Sequence, residues 1–281
     1  MLRTRVITAV ILLMVLSAIL YVNSFPVLAL AVAAFCFAAT WEGGRLFGAK
    51  YPLVGAAAWT AVLLFLEFHD SAMWAAPNPA QGPLVMLATI SAAIWVVRLT
   101  PSLAMGLPSL KTAGNWILSF IYGLAVLACF VAILVLFLHS ALYLFSVMAL
   151  VWLADIGAYF SGKAFGKRKL APSISPGKSW EGVIGGWLAV LFVAGGSTFA
   201  PQLADTFSPH LLAALGWAGW FAVMTLIVGA SVVGDLFESL LKRRIGMKDS
   251  SNLLPGHGGV LDRIDALIPV LPLAVLCGHW M

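Results

Sequence analysis

Long apolar stretches recur from one end of this chain to the other, parted by short polar joints. A bilayer core about 30 Å thick asks for roughly 20 apolar residues per helix, because backbone N–H and C=O groups left unpaired in lipid are too costly. On that rule nine spans are predicted, at about residues 6–23, 26–41, 53–69, 83–99, 115–138, 141–158, 183–200, 211–234 and 264–280. The fold class is an all-α, polytopic integral membrane protein. Residues 1–281 read as a single membrane domain: 1–140 as hydrophobic, lipid-facing scaffold helices, and 141–281 as helices carrying two polar segments, 155–182 and 235–265.

Charge supports this count. With the N-terminus on the cytoplasmic side, all sixteen Lys and Arg residues fall on that side, from Arg3 and Arg5 to Arg263, as the retention of basic loops in the cytoplasm requires. The outer side then holds Glu67, His69, Asp70, His139, Asp205, His210 and His279, and the C-terminus lies outside. Arg3 and Arg5 before a hydrophobic run also describe a secretory leader. The length of the run and the absence of a small-x-small cleavage pattern favour a retained first helix.

Composition places the chain among membrane proteins: 62% hydrophobic residues, 10% charged and a mean hydropathy of +1.01, against about 25% charged in soluble domains. The net charge of +5 is accounted for by topology and makes no separate case for nucleic acid. It suits an anionic ligand or anionic lipid at the inner face. Cys36, Cys129 and Cys277 stand alone in apolar runs and read as small buried hydrophobes.

Five of the eleven carboxylates and five of the sixteen basic residues fall between Asp235 and Asp265. If the eighth helix continues past the membrane surface, Ser231, Asp235, Glu238, Ser239 and Lys242 share one face at three- and four-residue spacings, and Lys242-Arg243-Arg244 ends it in keeping with the helix dipole. A loop with Pro255, Gly256, Gly258 and Gly259 follows, and Asp262 and Asp265 open the ninth helix one turn apart. Asp235 and Asp262 thus mark two helix ends that a tight loop can bring together. Such a pair either shares a cation, for which an oxygen-only set suits Mg²⁺, or forms separate salt bridges with neighbouring Lys or Arg.

In the other polar segment Gly177-Lys178-Ser179 resembles part of a phosphate-binding P-loop. That reading fails, because Pro172 occupies the place of the leading glycine and no strand is expected before it. Ser173, Ser175, Lys178 and Ser179 still offer donors ahead of a helix starting near Trp180 or Glu181, where phosphate binds well; an ordinary capped basic loop is the alternative. Gly182, Gly185 and Gly186 suit close helix approach.

Ser239-x-x-Lys242-Arg243, Lys248-Asp249 and His257-Gly258-Gly259-x-x-Asp262-Arg263-x-Asp265 resemble the signature of the phosphatidate cytidylyltransferases, also called CDP-diacylglycerol synthases. Asp155-x-x-Ala-Tyr159-x-x-Gly162, Phe165-Gly166-Lys167 and Ser175-Pro176-x-Lys178-Ser179-x-Glu181-Gly182 resemble that family's other polar segment. The likeness covers about a hundred residues of the C-terminal half; Gly177 stands where a basic or polar residue is common, and the N-terminal half is similar only in hydropathy.

The resemblance implies transfer of a cytidylyl group from CTP to phosphatidic acid, giving CDP-diacylglycerol and pyrophosphate, with Mg²⁺ and room for a second cation. It implies a site on the cytoplasmic side of a bacterial inner membrane. In that frame Asp235 and Asp262 are the expected metal ligands, with Asp249 and Asp265 as further ligands or orienting groups. Lys242, Arg243, Lys248 and Arg263 are expected to hold phosphate oxygens, Ser175, Lys178 and Ser179 the nucleotide end. Asp155, Glu181 and Ser239 complete the expected substrate-binding set. His257 either donates to departing pyrophosphate or orients the glycine turn. Another CTP-using membrane lipid enzyme, a polyprenol kinase or an ether-lipid cytidylyltransferase, is the alternative. A transporter fits less well, since its charge should recur in two matching halves. Partners are CTP, phosphatidic acid and membrane lipids, not nucleic acid; oligomeric state is left open, a homodimer included.

Overall fold

The structure, a computed structural model, describes residues 2–69 and 82–278; Asp70 and His279, expected on the outer side, lie outside the described residues, as do the side chains of Arg3, Arg5 and His69. The helices are α1 (Leu2–Val22), α2 (Phe25–Leu46), α3 (Pro52–His69), α4 (Pro83–Met105), α5 (Ala113–His139), α6 (Ala141–Phe165), α7 (Trp180–Ser197), α8 (Phe207–Arg244), α9 (Leu261–Ile264) and α10 (Leu267–Gly278). Six of them, α2 and α4 to α8, are long and apolar enough to cross a membrane, and Leu13–Val22, Pro52–Phe68 and Leu267–Gly278 are shorter apolar helices.

The chain is mainly α-helical, in keeping with the expected fold class, and carries one small hairpin that was not expected: β1 (Lys169–Ala171) and β2 (Ser175–Ser179) pair antiparallel, with Lys169 opposite Ser179 and Ala171 opposite Ser175. A strand therefore does precede Gly177-Lys178-Ser179, though Lys178 lies within β2 itself and Pro172 still bars a P-loop. The expected span at 141–158 already held Asp155, and α6 runs on past it to Phe165.

The N-terminal half is more than lipid-facing enclosure. Helix α5 is the most buried of the long helices, with 78% of its apolar window inside the protein, and it packs against α2, α4, α6 and α10. Hydropathy could not reveal this, because a lipid tail and a leucine core are equally apolar neighbours. Local chemistry sets several boundaries. Ser140 turns α5 into α6 in one residue, its hydroxyl accepting from Tyr143 N at 3.0 Å. A π-helical turn at Trp95–Leu99 interrupts α4 just before Pro101, which has no N–H for the regular ladder. In α8, Gly216 at φ 64° breaks the helix between its first turns and the long arm that carries Asp235.

The α6–α7 pair forms one wall of the site and depends on small residues. A Cβ on Gly186 would overlap the carbonyl oxygen of Ala154, and one on Gly182 would come to 2.9 Å from that of Ala158. The expected role of these glycines in close helix approach is therefore met. Gly186→Val should destabilise the protein by about 1–3 kcal/mol through overpacking, whereas Gly196→Ala, in the same helix with nothing within 4 Å of its Cβ, should not. Thermal unfolding in detergent separates the two.

Candidate active site

A cleft of about 470 Å³ opens between α6, the β hairpin, the start of α7 and α8, lined among others by Asp155, Lys163, Ser175, Lys178, Ser179 and Asp235. Its floor is polar because β2 carries Lys178 inward. The Lys178 Nζ lies 2.5 Å from Asp235 Oδ2, and Ser239, one turn along α8, donates to Asp235 Oδ1 at 3.3 Å. Asp155 and Asp265 both lie within electrostatic range of Asp235 and Lys178, and Arg263 within range of Asp155. Gly234 permits the convergence, since any Cβ there would overlap the Asp265 carbonyl oxygen. The helical stripe expected on α8 is thus realised as one face.

Asp262 sits differently. Its Oδ1 accepts from Lys242 Nζ at 2.5 Å, and its Oδ2 takes Ser250 N at 2.8 Å, Ser250 Oγ at 2.9 Å and Gly259 N at 2.7 Å. Both oxygens are engaged by protein donors. Lys242 also pairs with Glu238, whose side chain is fully buried. Burial works to raise the pKa of Asp262, but the Lys242 ammonium and the backbone N–H groups of Gly259 and Ser250 outweigh it and hold the carboxyl below its ordinary value. A depressed folded-state pKa means that the unfolded chain takes up the proton first. Asp262 therefore contributes stability above about pH 3.9, the usual unfolded value, and loses it as pH falls through the lower folded value. Acid titration of the unfolding midpoint should show this component in the native protein and not in Asp262→Asn.

The loop between α8 and α9 is organised by a residue that the sequence reading passed over. Glu42, 0% exposed on α2, accepts from Ser250 Oγ at 3.2 Å, Ser251 Oγ at 2.5 Å, Val260 N at 3.1 Å and Leu261 N at 2.6 Å. Gly259 is needed because a side chain there would overlap Glu42 and Ser250, and Gly258, at φ 83°, passes so close to Asp262 that a Cβ would lie 2.6 Å from Oδ2. The available signal in the sequence was a lone acid in an apolar helix, which is costly unless it is used.

The remaining expected site residues divide between positioning and exposure. Arg243 donates to Ile174 O at 3.2 Å and to Met247 O at 3.1 Å, tying the end of α8 to the hairpin turn. Glu181 accepts from Lys167 N at 3.1 Å and from Arg168 N and Nε, which closes the α6–β1 turn onto α7. Ser179 caps α7 through Gly182 N at 3.2 Å, so the capping role is realised in a residue that also lines the cleft. Lys248, Asp249 and Arg263 are exposed, and His257 is half-buried with its backbone N–H on Leu254 O at 2.8 Å. Arg244, not among the expected residues, donates to Asn115 Oδ1 at 2.8 Å, Pro108 O at 3.2 Å and Leu46 O at 3.1 Å. It locks the end of α8 against two loops of the N-terminal half.

Two polar segments far apart in the chain therefore meet at one cleft, with carboxylate, ammonium and hydroxyl groups and apolar side chains, Val183, Val228 and Val232, in its lining. The sequence matches the Cytidylyltransferase family over residues 3–280. The chain belongs to that family. Among its relatives are proteins named phosphatidate cytidylyltransferase from Pseudomonas aeruginosa, 42% identical over 97% of this chain and 95% of the relative, and from Haemophilus influenzae, 37% identical over 97% and 96%. A Bacillus subtilis protein of the same name is 41% identical over 48% of this chain and 46% of its own length.

An oxygen-rich donor set facing the cleft suits a hard cation such as Mg²⁺. Asp235, held among the described residues by one ammonium and one hydroxyl, and the exposed Asp155 both line the cleft and fit such an ion, with Asp265 nearby. Asp262 Oδ2 is taken up by three donors, and Oδ1, which accepts from Lys242, is the oxygen through which Asp262 would join such a set.

Proposed function

We propose that this chain transfers the cytidylyl group of CTP to phosphatidate, giving CDP-diacylglycerol and pyrophosphate. The observation that carries the reading is whole-length similarity to proteins of that name, together with convergence of both polar segments on a single cleft beside apolar helices. One substrate is a lipid and the other a soluble polyanion, so a cleft with both polar groups and apolar side chains in its lining meets the physical requirement.

In this reading a phosphatidate oxygen attacks the α-phosphorus of CTP in line and pyrophosphate leaves opposite. The attacking monoester is already anionic near neutral pH, so positioning and charge neutralisation supply most of the catalysis. Lys178 is the central cation: it exchanges its bond to Asp235 for phosphate oxygens when the nucleotide enters. Ser175 and Lys163 line the same wall and hold the nucleotide end. Lys242 is fixed by Glu238 and Asp262 and sets the potential at the base of the site, while exposed Arg263 and Lys248 attract phosphate from solution. His257 orients the turn that presents Gly258 and Gly259 to the two buried acids.

A magnesium ion held by Asp235, with Asp155 and Asp265 as neighbours, would neutralise charge on the phosphates. The site faces the cytoplasm of a bacterial inner membrane and the chain crosses the bilayer nine times, with its N-terminus inside; what supports this reading is the six long and three shorter apolar helices and the agreement of the sequence with the positive-inside rule when its spans are counted so.

The test is purified protein in detergent with phosphatidate and magnesium, given CTP or ATP. CTP-specific formation of a liponucleotide with release of pyrophosphate is expected. Phosphate transfer from either nucleotide to a lipid alcohol, with no liponucleotide, would refute the assignment.

A further inference from the structure

At the end of the bundle remote from the cleft, three polar side chains from three separate segments converge. His139 is the last residue of α5, Asp205 lies in the α7–α8 connection and His210 is in the first turn of α8. Asp155, in the cleft lining, is on α6, which begins at Ala141 beside His139, so the cluster stands about 20 Å from the cleft along the helix axis at 1.5 Å per residue.

Both imidazoles address the same carboxylate oxygen. Nε2 of His139 is 3.2 Å and Nε2 of His210 is 3.5 Å from Asp205 Oδ1, and the three candidate ligand atoms all lie within 4.8 Å of one another. We propose that His139, Asp205 and His210 form a binding site for a divalent transition-metal ion of the zinc class.

The distances carry the argument. A tetrahedral ion with arms of about 2.0–2.1 Å places neighbouring ligand atoms about 3.3–3.4 Å apart. The two His–Asp separations already have that value. The His–His separation has only to close from at most 4.8 Å, which small rotations of two side chains can provide. A salt bridge alone would be satisfied by one histidine, or by one on each carboxylate oxygen. With both ring nitrogens at one oxygen, all three atoms come within 4.8 Å of one another, close enough to surround one ion. The donor set of two imidazoles and one carboxylate suits zinc, copper or nickel and disfavours magnesium and calcium, which take oxygen.

The surroundings hold the ligands in place. The His139 ring packs on Tyr143 at 4.3 Å and meets His210 edge-on at 5.2 Å, and Tyr143 in turn packs on Phe207 at 5.8 Å. The Ser140 hydroxyl lies near Asp205, where an outer contact would orient a ligating carboxylate. The three side chains are 43%, 52% and 32% exposed for His139, Asp205 and His210, which leaves a fourth position for water and makes the ion exchangeable. Bound metal would clamp the start of α8 to the end of α5. The break at Gly216 separates that clamp from the arm bearing Asp235, so the clamp acts on stability and leaves turnover nearly unchanged.

The experiment is zinc titration of the full chain in detergent, after removal of any histidine tag, in competition with a chromophoric zinc chelator. One zinc per chain in the low micromolar range, undisturbed by millimolar magnesium, is expected, with a raised unfolding midpoint. His139→Ala, His210→Gln and Asp205→Asn should each weaken binding by at least about tenfold and abolish the zinc-dependent rise in midpoint, while helical content and elution volume stay those of the native protein. Absence of zinc binding by the native chain, or equal stoichiometry and affinity in correctly folded His139→Ala and His210→Gln, would overturn the proposal.

Discussion

Asp235→Asn is expected to lower kcat/KM for cytidylyl transfer by on the order of 10³, the scale for removing one preorganised charged group from a phosphoryl-transfer site. The carboxylate does two things at once in the cleft: it fixes Lys178 at 2.5 Å, and it offers oxygen to a cation beside Asp155. Asparagine keeps the size and can still bond Ser239, so the protein should fold normally. Lys178→Met should fall by a similar factor, because Lys178 is the ammonium placed to receive the triphosphate. The double variant should be little worse than either single one, since groups that act as a unit are not additive. Measurement needs initial rates over a range of CTP and phosphatidate concentrations, with circular dichroism as the control for folding. Near-normal turnover in Asp235→Asn would remove the cleft as the catalytic centre.

Glu42→Ala should be the most destabilising single change in the site. The carboxylate satisfies four donors in a place without water access, two hydroxyls and the N–H groups of Val260 and Leu261. Truncation leaves the Ser251 hydroxyl and the N–H groups of Val260 and Leu261 without this acceptor, while the Ser250 hydroxyl keeps Asp262, and each buried donor left unsatisfied costs about 1–3 kcal/mol. The α8–α9 loop should then lose its course, carrying Asp262 and Asp265 with it, and activity should fall with stability. Glu42→Gln keeps two of the acceptor contacts at best and should lie between. Thermal unfolding read beside activity checks both parts: full activity at a native midpoint in Glu42→Ala would show that the loop is held by other means.

Much of the molecule was legible from its residues. The apolar runs located each of the long helices, because burial from water depends on composition alone. Ser231, Asp235, Glu238, Ser239 and Lys242 announced one face of α8 by spacing, and the cap at Ser179 announced the start of α7. The hairpin at residues 169–179 was not legible, since a three-residue strand has no period to detect and its pairing depends on Arg243 holding Ile174 from another helix.

What each charged side chain does was also beyond the sequence. Asp235 and Asp262 look equivalent along the chain, yet one faces the cleft and the other is filled by Lys242, Ser250 and Gly259. Glu42 lies in an apolar helix of the N-terminal half, and only folding brings it to residues more than 200 positions away. The sequence by itself determined the solvent, the helices and the chemical inventory, because hydropathy and residue type are local quantities. Only the tertiary structure decided which acids are spent on holding the loop and which remain open to a ligand, because hydrogen-bond satisfaction depends on partners that local sequence does not specify.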